Sequence, residues 1–252
     1  MNTVTIRNIT LGAGKPKICL PIIGKTPEEI NSQAAEIIKH PVDIIEWRAD
    51  FFEGIHNISQ INEVAASLRK IIGEIPLLFT IRTANEGGEL SITFDEYKNL
   101  LTKVSQNKDI DAIDVEIMIA GENPVTDLIK TLKENVTVIA SNHNFTLTPD
   151  AEEIKNRLKY METCQADVCK IAVMPKSTED LLTLLAATND AHKEVHQPLI
   201  TMSMGQVGLI SRLCGEVFGS ALTFGCVGQA SAPGQINADQ LATVLDILHD
   251  NI

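Results

Sequence analysis

At 252 residues, with 44% hydrophobic and 21% charged residues, the chain can bury a large core, and its length suits one α/β barrel better than one sandwich. A formal net charge of −12 argues against nucleic acid or an anionic membrane as partner, but leaves room for an anionic small substrate held by a local arginine cluster. Five cysteines without a Cys-x-x-Cys pair fit buried free thiols in a reducing compartment, and no apolar run approaches the ~18 residues of a membrane span, so a cytoplasmic location is expected.

Residues 3–8 and the turn near Gly12 predict an N-terminal β-hairpin that closes the bottom of a barrel. Eight short apolar, β-branched runs follow, at 17–24, 42–50, 77–82, 112–119, 137–143, 167–174, 199–205 and 221–227. Amphipathic helical stretches separate them, at 27–40, 58–72, 94–108, 124–135 and 149–164, then a helix capped by Ser177, then 209–218 and 238–249. Thr26 is the expected N-cap of the first, with Pro27 in its first turn, and Thr148 with Pro149 repeats the pattern. Eight β-then-α units call for a parallel sheet with right-handed crossovers. Their regular length fits a (β/α)₈ TIM barrel, one catalytic domain over 1–252, better than an open sheet. Gly12-Ala13-Gly14 precedes a strand rather than a helix, so it reads as a turn and not a dinucleotide loop.

In such barrels the active site lies at the C-terminal strand ends, and strand residues alternate between the interior and the helix layer. Glu46 and Arg48 share one parity, with Trp47 on the other; Arg82 ends the third run and Glu86 follows in its loop; Asp114 and Glu116 share a face; His143 ends the fifth run; Lys170 lies in the sixth; Met202 and Met204 share a face of the seventh. Burying so many charges is costly unless they pair or bind something, and a whole ring of them is hard to explain as packing. Lys170 suggests an amine that forms a Schiff base, with Val168, Ile171 and Val173 as apolar flanks and Arg48 and Arg82 as cations that would favour its neutral form. The rival reading is a structural lysine paired to Glu116 or Asp114, and the pattern alone favours neither. His143 suits a general base and acid, against a strand-end histidine bonded to backbone, with Glu86 placed to fix its tautomer or merely solvated. Arg212, early in the helix after the seventh strand, can clamp a carboxylate, although a surface arginine is the commoner case. Ser231 and Gln235 flank a small-residue loop after strand eight that suits a lid. His192 and His196 lack the His-Glu-x-x-His order and lie at a helix end, so they are set aside as metal ligands.

The motifs Glu46-Trp47-Arg48, Leu77-Leu78-Phe79-Thr80 with Arg82, Glu86-Gly87-Gly88-Glu89, Ser141-Asn142-His143, Lys170-Ile171-Ala172-Val173-Met174-Pro175, Thr201-Met202-Ser203-Met204-Gly205, Gly215-Glu216-Val217-Phe218-Gly219-Ser220 and Ala230-Ser231-Ala232-Pro233-Gly234-Gln235 together resemble the type I 3-dehydroquinate dehydratase family. The resemblance spans essentially the whole chain. It implies a dimeric (β/α)₈ barrel without metal or cofactor that converts 3-dehydroquinate to 3-dehydroshikimate and water in the shikimate pathway. It further implies that Lys170 forms the imine, His143 moves the protons and Glu86 orients it. By the same resemblance Arg212, Ser231 and Gln235 bind the carboxylate, Glu46, Arg48 and Arg82 hold the ring hydroxyls, and Met202, Met204 and Phe224 form apolar walls. This chain departs modestly, with Val227-Gly228-Gln229 before the lid and Pro21 in the first strand run. Two rival functions remain at this point. A class I Schiff-base aldolase acting on a phosphosugar would use the same lysine, and a non-catalytic barrel would bind a metabolite or a protein.

Overall fold

The computed structural model describes residues 2–120, 125–228 and 231–252. Pro124 of the expected fourth helix, and Gln229 and Ala230 before the expected lid, lie outside the described residues.

A two-stranded antiparallel hairpin, β1 (Val4–Ile6) and β2 (Ile9–Leu11), precedes the barrel. Strands β3 (Lys17–Ile22), β4 (Ile44–Arg48), β5 (Leu77–Thr80), β6 (Ala112–Glu116), β7 (Thr137–Asn144), β8 (Val168–Val173) and β9 (Leu199–Ser203) pair in parallel in chain order, and β10 (Leu222–Cys226) pairs with β3. The ring closes between β9 and β10 through a parallel bridge from Leu199 to Ser220 and the Ala221 N–H donating to Leu199 O at 2.7 Å. Helices α1 (Pro27–Ile37), α2 (Ile58–Ile72), α3 (Phe94–Val104), α4 (Thr126–Lys133), α5 (Ala151–Thr163), α6 (Thr178–Glu194), α7 (Gly215–Phe218) and α8 (Ala238–His249) follow the barrel strands, as in a TIM barrel.

The period-two alternation of each strand sorts its side chains into two cores. Outward residues such as Leu20, Ile45, Phe79, Val115 and Ile171 pack with Ile30, Leu68, Leu101 and Leu158 of the helices. Inward residues at the N-terminal strand ends, Cys19, Ile44, Leu78, Ala112, Ile139, Val168, Ile200 and Leu222, form a separate apolar layer that includes Ile6 and Leu11 of the hairpin. The hairpin thus plugs the barrel bottom, where burying a single leucine such as Leu11 is worth about 2 kcal/mol. That dry floor leaves the opposite end for polar groups.

Several local expectations need correction. The hairpin turns at Arg7, with φ 52, and not at Gly12, whose φ of 85 serves the next turn. Asp150, not Thr148, caps α5 by accepting from the Glu153 N–H at 2.8 Å, while the Thr148 hydroxyl donates to Met174 O. The stretch 209–218 is no continuous helix, but a 3₁₀ turn over Leu209–Arg212 followed by α7. Here Gly208 lies so close to the end of β9 that a Cβ would meet Ser203 O at 2.2 Å, and the Ser211 hydroxyl bridges the two by donating to Gly208 O and accepting from Ser203 N–H. A two-residue strand, β11 (Ile236–Asn237), adds to β10 and is too short to show any alternation. No helix among the described residues is long and apolar enough to cross a membrane.

Candidate active site

A cavity opens at the C-terminal mouth, lined by Glu46, Arg48, Arg82, His143, Lys170, Met202, Met204, Arg212, Phe224, Ser231 and Gln235. Every site residue expected from the sequence therefore reaches one cavity, except Glu86, which stands behind His143. Alternation explains the gathering: Glu46 and Arg48, Asp114 and Glu116, Lys170 and Ala172, and Met202 and Met204 are all inward positions two residues apart. The cavity also uses Gly87, Phe145, Ala172 and Ala232, which sequence reasoning missed. Gly87 has φ 80, and a Cβ there would lie 2.5 Å from the Phe145 ring, so a side chain would displace this wall of the cavity.

Lys170 is 3% exposed and lines the cavity, and of the two carboxylates offered as its structural partner Asp114 is the one it pairs with. Nζ opens onto the cavity, 4.7 Å from the centroid of Phe224, and also donates to Asp114 Oδ2 at 3.0 Å, with Glu46 Oε1 at 3.8 Å. The expected apolar sleeve is thus only partial. Ile171 and Val173 face the helices, and two carboxylates stand beside the amine. Arg82 and Arg48 do not act as free cations either. Arg82 donates to Asp114 at 2.9 Å and Glu116 at 2.7 Å, and Arg48 forms a bidentate pair with Asp50 at 2.8 Å through both contacts. Burial alone would push Asp114 up, but Arg82 and Lys170 outweigh it and hold its carboxyl at about 2. Burial opposes the charge on Arg82 too, and Asp114, Glu116 and Glu86 overcome it, so its pKa rises.

His143 and Glu86 form the second unit. His143 Nδ1 lies 2.9 Å from Glu86 Oε2, the His143 backbone N–H donates to the same oxygen at 2.8 Å, and Asn142 Nδ2 donates to Oε1 at 2.9 Å. Burial pushes the Glu86 carboxyl up to about 8, against the pull of Arg82. Burial, then Arg82, Lys170 and Arg48, hold the imidazole well below its usual range. The ring is therefore neutral near pH 7, and the two groups share protons as a unit. Once Glu86 is ionised, above about pH 8, N–H donors stand on both carboxyl oxygens, and a proton on Nδ1 completes the set and leaves the Nε2 lone pair as the ring's free acceptor.

Arg212 is different from every other cation of the mouth. It is 1% exposed, and among the described residues no carboxylate faces it. Among the described residues its Nη atoms reach only Phe224 O at 3.5 Å, Pro233 O at 3.1 Å and Met202 Sδ at 3.9 Å, and Nε is buried with no partner there. Burial pulls its pKa down to about 10, a cost of about 3 kcal/mol by the shift from 12.5. The segment 231–235 closes over it. Ser231 N–H donates to Gln235 Oε1 at 2.8 Å, Gln235 Nε2 donates to Ser231 Oγ at 3.0 Å, and Gly205 N–H donates to Pro233 O at 3.1 Å. A buried guanidinium without an acid awaits an anion.

A family model described as type I 3-dehydroquinase matches residues 18–252. The chain belongs to the type I 3-dehydroquinase family. It is 48% identical over 250 residues to the 3-dehydroquinate dehydratase of Listeria monocytogenes serovar 1/2a, covering 99% of each chain. A crystal structure of the type I 3-dehydroquinate dehydratase of Clostridium difficile with covalently modified comenic acid superposes with a TM-score of 0.95 at 49% identity, covering 100% of this chain and 99% of that one. The enzyme of Geobacillus kaustophilus gives a TM-score of 0.95 at 41% identity, covering 99% and 97%. Membership in the type I 3-dehydroquinase family does not favour the phosphosugar aldolase or the non-catalytic barrel.

Proposed function

We propose that this cavity dehydrates 3-dehydroquinate to 3-dehydroshikimate, as a hydro-lyase of the shikimate pathway, through an imine on Lys170. The observation that carries the substrate class is Arg212, a buried cation without an acid, in a cavity that also holds an amine and a neutral imidazole. Arg212 takes the carboxylate, and Ser231 and Gln235 exchange their mutual hydrogen bonds for bonds to it. Glu46, Arg48 and Arg82 meet the ring hydroxyls, and Met202, Met204 and Phe224 enclose the ring. Lys170 adds to the ketone and loses one water to give the imine. His143 Nε2 takes the C2 proton, the electron pair moves toward the imine nitrogen, and its return expels the C1 hydroxyl, which leaves with the proton from His143. Water then hydrolyses the imine, so the net change is the loss of one water. Asp114, held ionised at about 2, stabilises the charged imine and does not take up its proton. The chain is read as a single catalytic domain, cytoplasmic and homodimeric, that uses no cofactor.

Borohydride added with 3-dehydroquinate should fix a reduced adduct on Lys170, located by peptide mass mapping. Trapping only with phosphosugars would overturn the substrate in favour of an aldolase, and no trapping with either would remove the imine. Arg212→Met should raise KM by about 10²–10³-fold with a smaller change in kcat, since a truncated partner of a buried ion pair costs about 2–5 kcal/mol. The same variant should melt at an equal or higher temperature, because it deletes a buried charge that no acid compensates. A destabilised variant with unchanged KM would make Arg212 a structural residue.

A further inference from the structure

Behind the imidazole a chain of hydrogen bonds leads to the helix layer. Ser141 and His143 point into the barrel, so Asn142, 5% exposed, points outward toward α5. There Arg157 Nη1 donates to Asn142 Oδ1 at 2.7 Å, and Asn142 Nδ2 donates to Glu86 Oε1 at 2.9 Å. Arg157 is itself steadied by Glu153 one turn earlier, at 2.7 Å from its Nε. None of these contacts touches the cavity where the substrate would bind.

We propose that Arg157 and Asn142 are positioning residues that fix the tautomer of His143 through Glu86. An asparagine amide can present either end to a neighbour, and its environment decides which. Arg157 has only donors, so it claims the carbonyl of Asn142 and forces the N–H₂ toward Glu86. Glu86, once ionised, then receives N–H donors on both oxygens, from Asn142 and from the His143 backbone, and is held as the acceptor. An acceptor at that place requires the His143 proton on Nδ1, which leaves Nε2 bare on the substrate side. Were the amide reversed, its oxygen would face Glu86 and demand a carboxyl proton there. Glu86 would then donate to one neighbour or the other, and the ring would drift to the Nε2–H tautomer that cannot accept a proton from substrate. The remaining charges around Glu86 do not make this choice: Arg82 Nη1 stands 3.7 Å from Oε2, and Glu116 beyond it raises the carboxyl by repulsion, but neither contacts Asn142. Both donors, Asn142 and the His143 N–H, lower the Glu86 pKa against burial, so losing one raises it further.

This inference rests on the reading of His143 as the base, so its test has an arm that needs no substrate. In Arg157→Met the acid limb of the kcat profile should move up by about one pH unit, because one charge-assisted hydrogen bond to Glu86 is weakened. At pH 7 kcat should fall about tenfold with KM nearly unchanged, and Arg157→Lys, which still donates, should restore most of it. Without substrate, at about pH 9, a unit above the Glu86 value of about 8, ring ¹⁵N spectra of His143 should show the Nδ1–H form in the parent chain and a mixture in Arg157→Met, whose carboxyl titrates higher. An unchanged ring signature overturns the proposal even if dehydration itself fails to be detected, as does a lower melting temperature with the parent pH profile.

Discussion

Lys170→Ala should lose turnover by on the order of 10⁶-fold, the scale of removing a nucleophile that works as part of a unit, and the barrel should still fold. Both halves follow from the same pair of contacts. Asp114 keeps Arg82 at 2.9 Å and the Ser141 hydroxyl at 2.5 Å when the amine is gone, and Glu46 keeps the Thr80 hydroxyl at 2.9 Å. Neither carboxylate is orphaned, so the loss should stay near the about 1–3 kcal/mol of one buried hydrogen bond, or roughly 5 °C in Tm. Chemistry has no such reserve. Among the described residues no second amine lines the cavity, and the arginines there cannot form an imine because their guanidinium stays charged. Assay and thermal melt on one preparation check the pair of outcomes. Near-parent activity would remove the lysine from the mechanism, and Lys170→Met, which refills the stem's volume, separates lost chemistry from lost fold if the alanine variant melts early.

The parity of the strand residues was legible before any coordinates, because alternation depends only on counting. Counting placed Glu46 with Arg48 and turned Trp47 outward, and it put Lys170 at the end where His143 and Arg82 collect. It does not report which charges compensate one another. Lys170 and Asp114 meet across two strand pairings, from β8 through β7 to β6, and that depends on how the ring curls and staggers. The expected apolar sleeve around Lys170 failed for this reason: Ile171 and Val173 are sequence neighbours but face the other way. Asp50 escaped notice because it follows the strand on a 3₁₀ turn, where period two no longer applies, although it is the partner that neutralises Arg48. Arg212 was legible as an arginine near strand seven, but its lack of an acid was not, since a missing partner has no sequence signature. The broken helix over 209–218 hid it as well, because its apolar spacing is that of an amphipathic helix while the backbone folds back against Ser203.

His143→Ala should separate the two halves of the reaction. Proton transfer by a positioned imidazole is worth about 10²–10⁴-fold, so elimination should slow by that factor while Lys170 still condenses with the ketone. Mixed with 3-dehydroquinate, the variant should accumulate an imine that borohydride traps faster than product appears. Rapid product release by His143→Ala would exclude the ring as proton carrier. The pH dependence of the parent gives an independent check on the sign. A ring held well below 6.5 and a carboxyl at about 8 form one unit, which carries an extra proton on the acid side and sheds it as pH rises toward 8. Only the form that has shed it offers a free Nε2, so kcat should climb with pH over that range and the climb should vanish in His143→Ala. The same carboxyl should act on stability in the opposite direction. Its folded pKa is raised above 4.5, so its stabilising contribution is full below 4.5 and is lost as pH rises through about 8. Activity that rises where this contribution falls is what a base supported by a buried acid requires: the charged Glu86 that orients the imidazole is the form its burial resists.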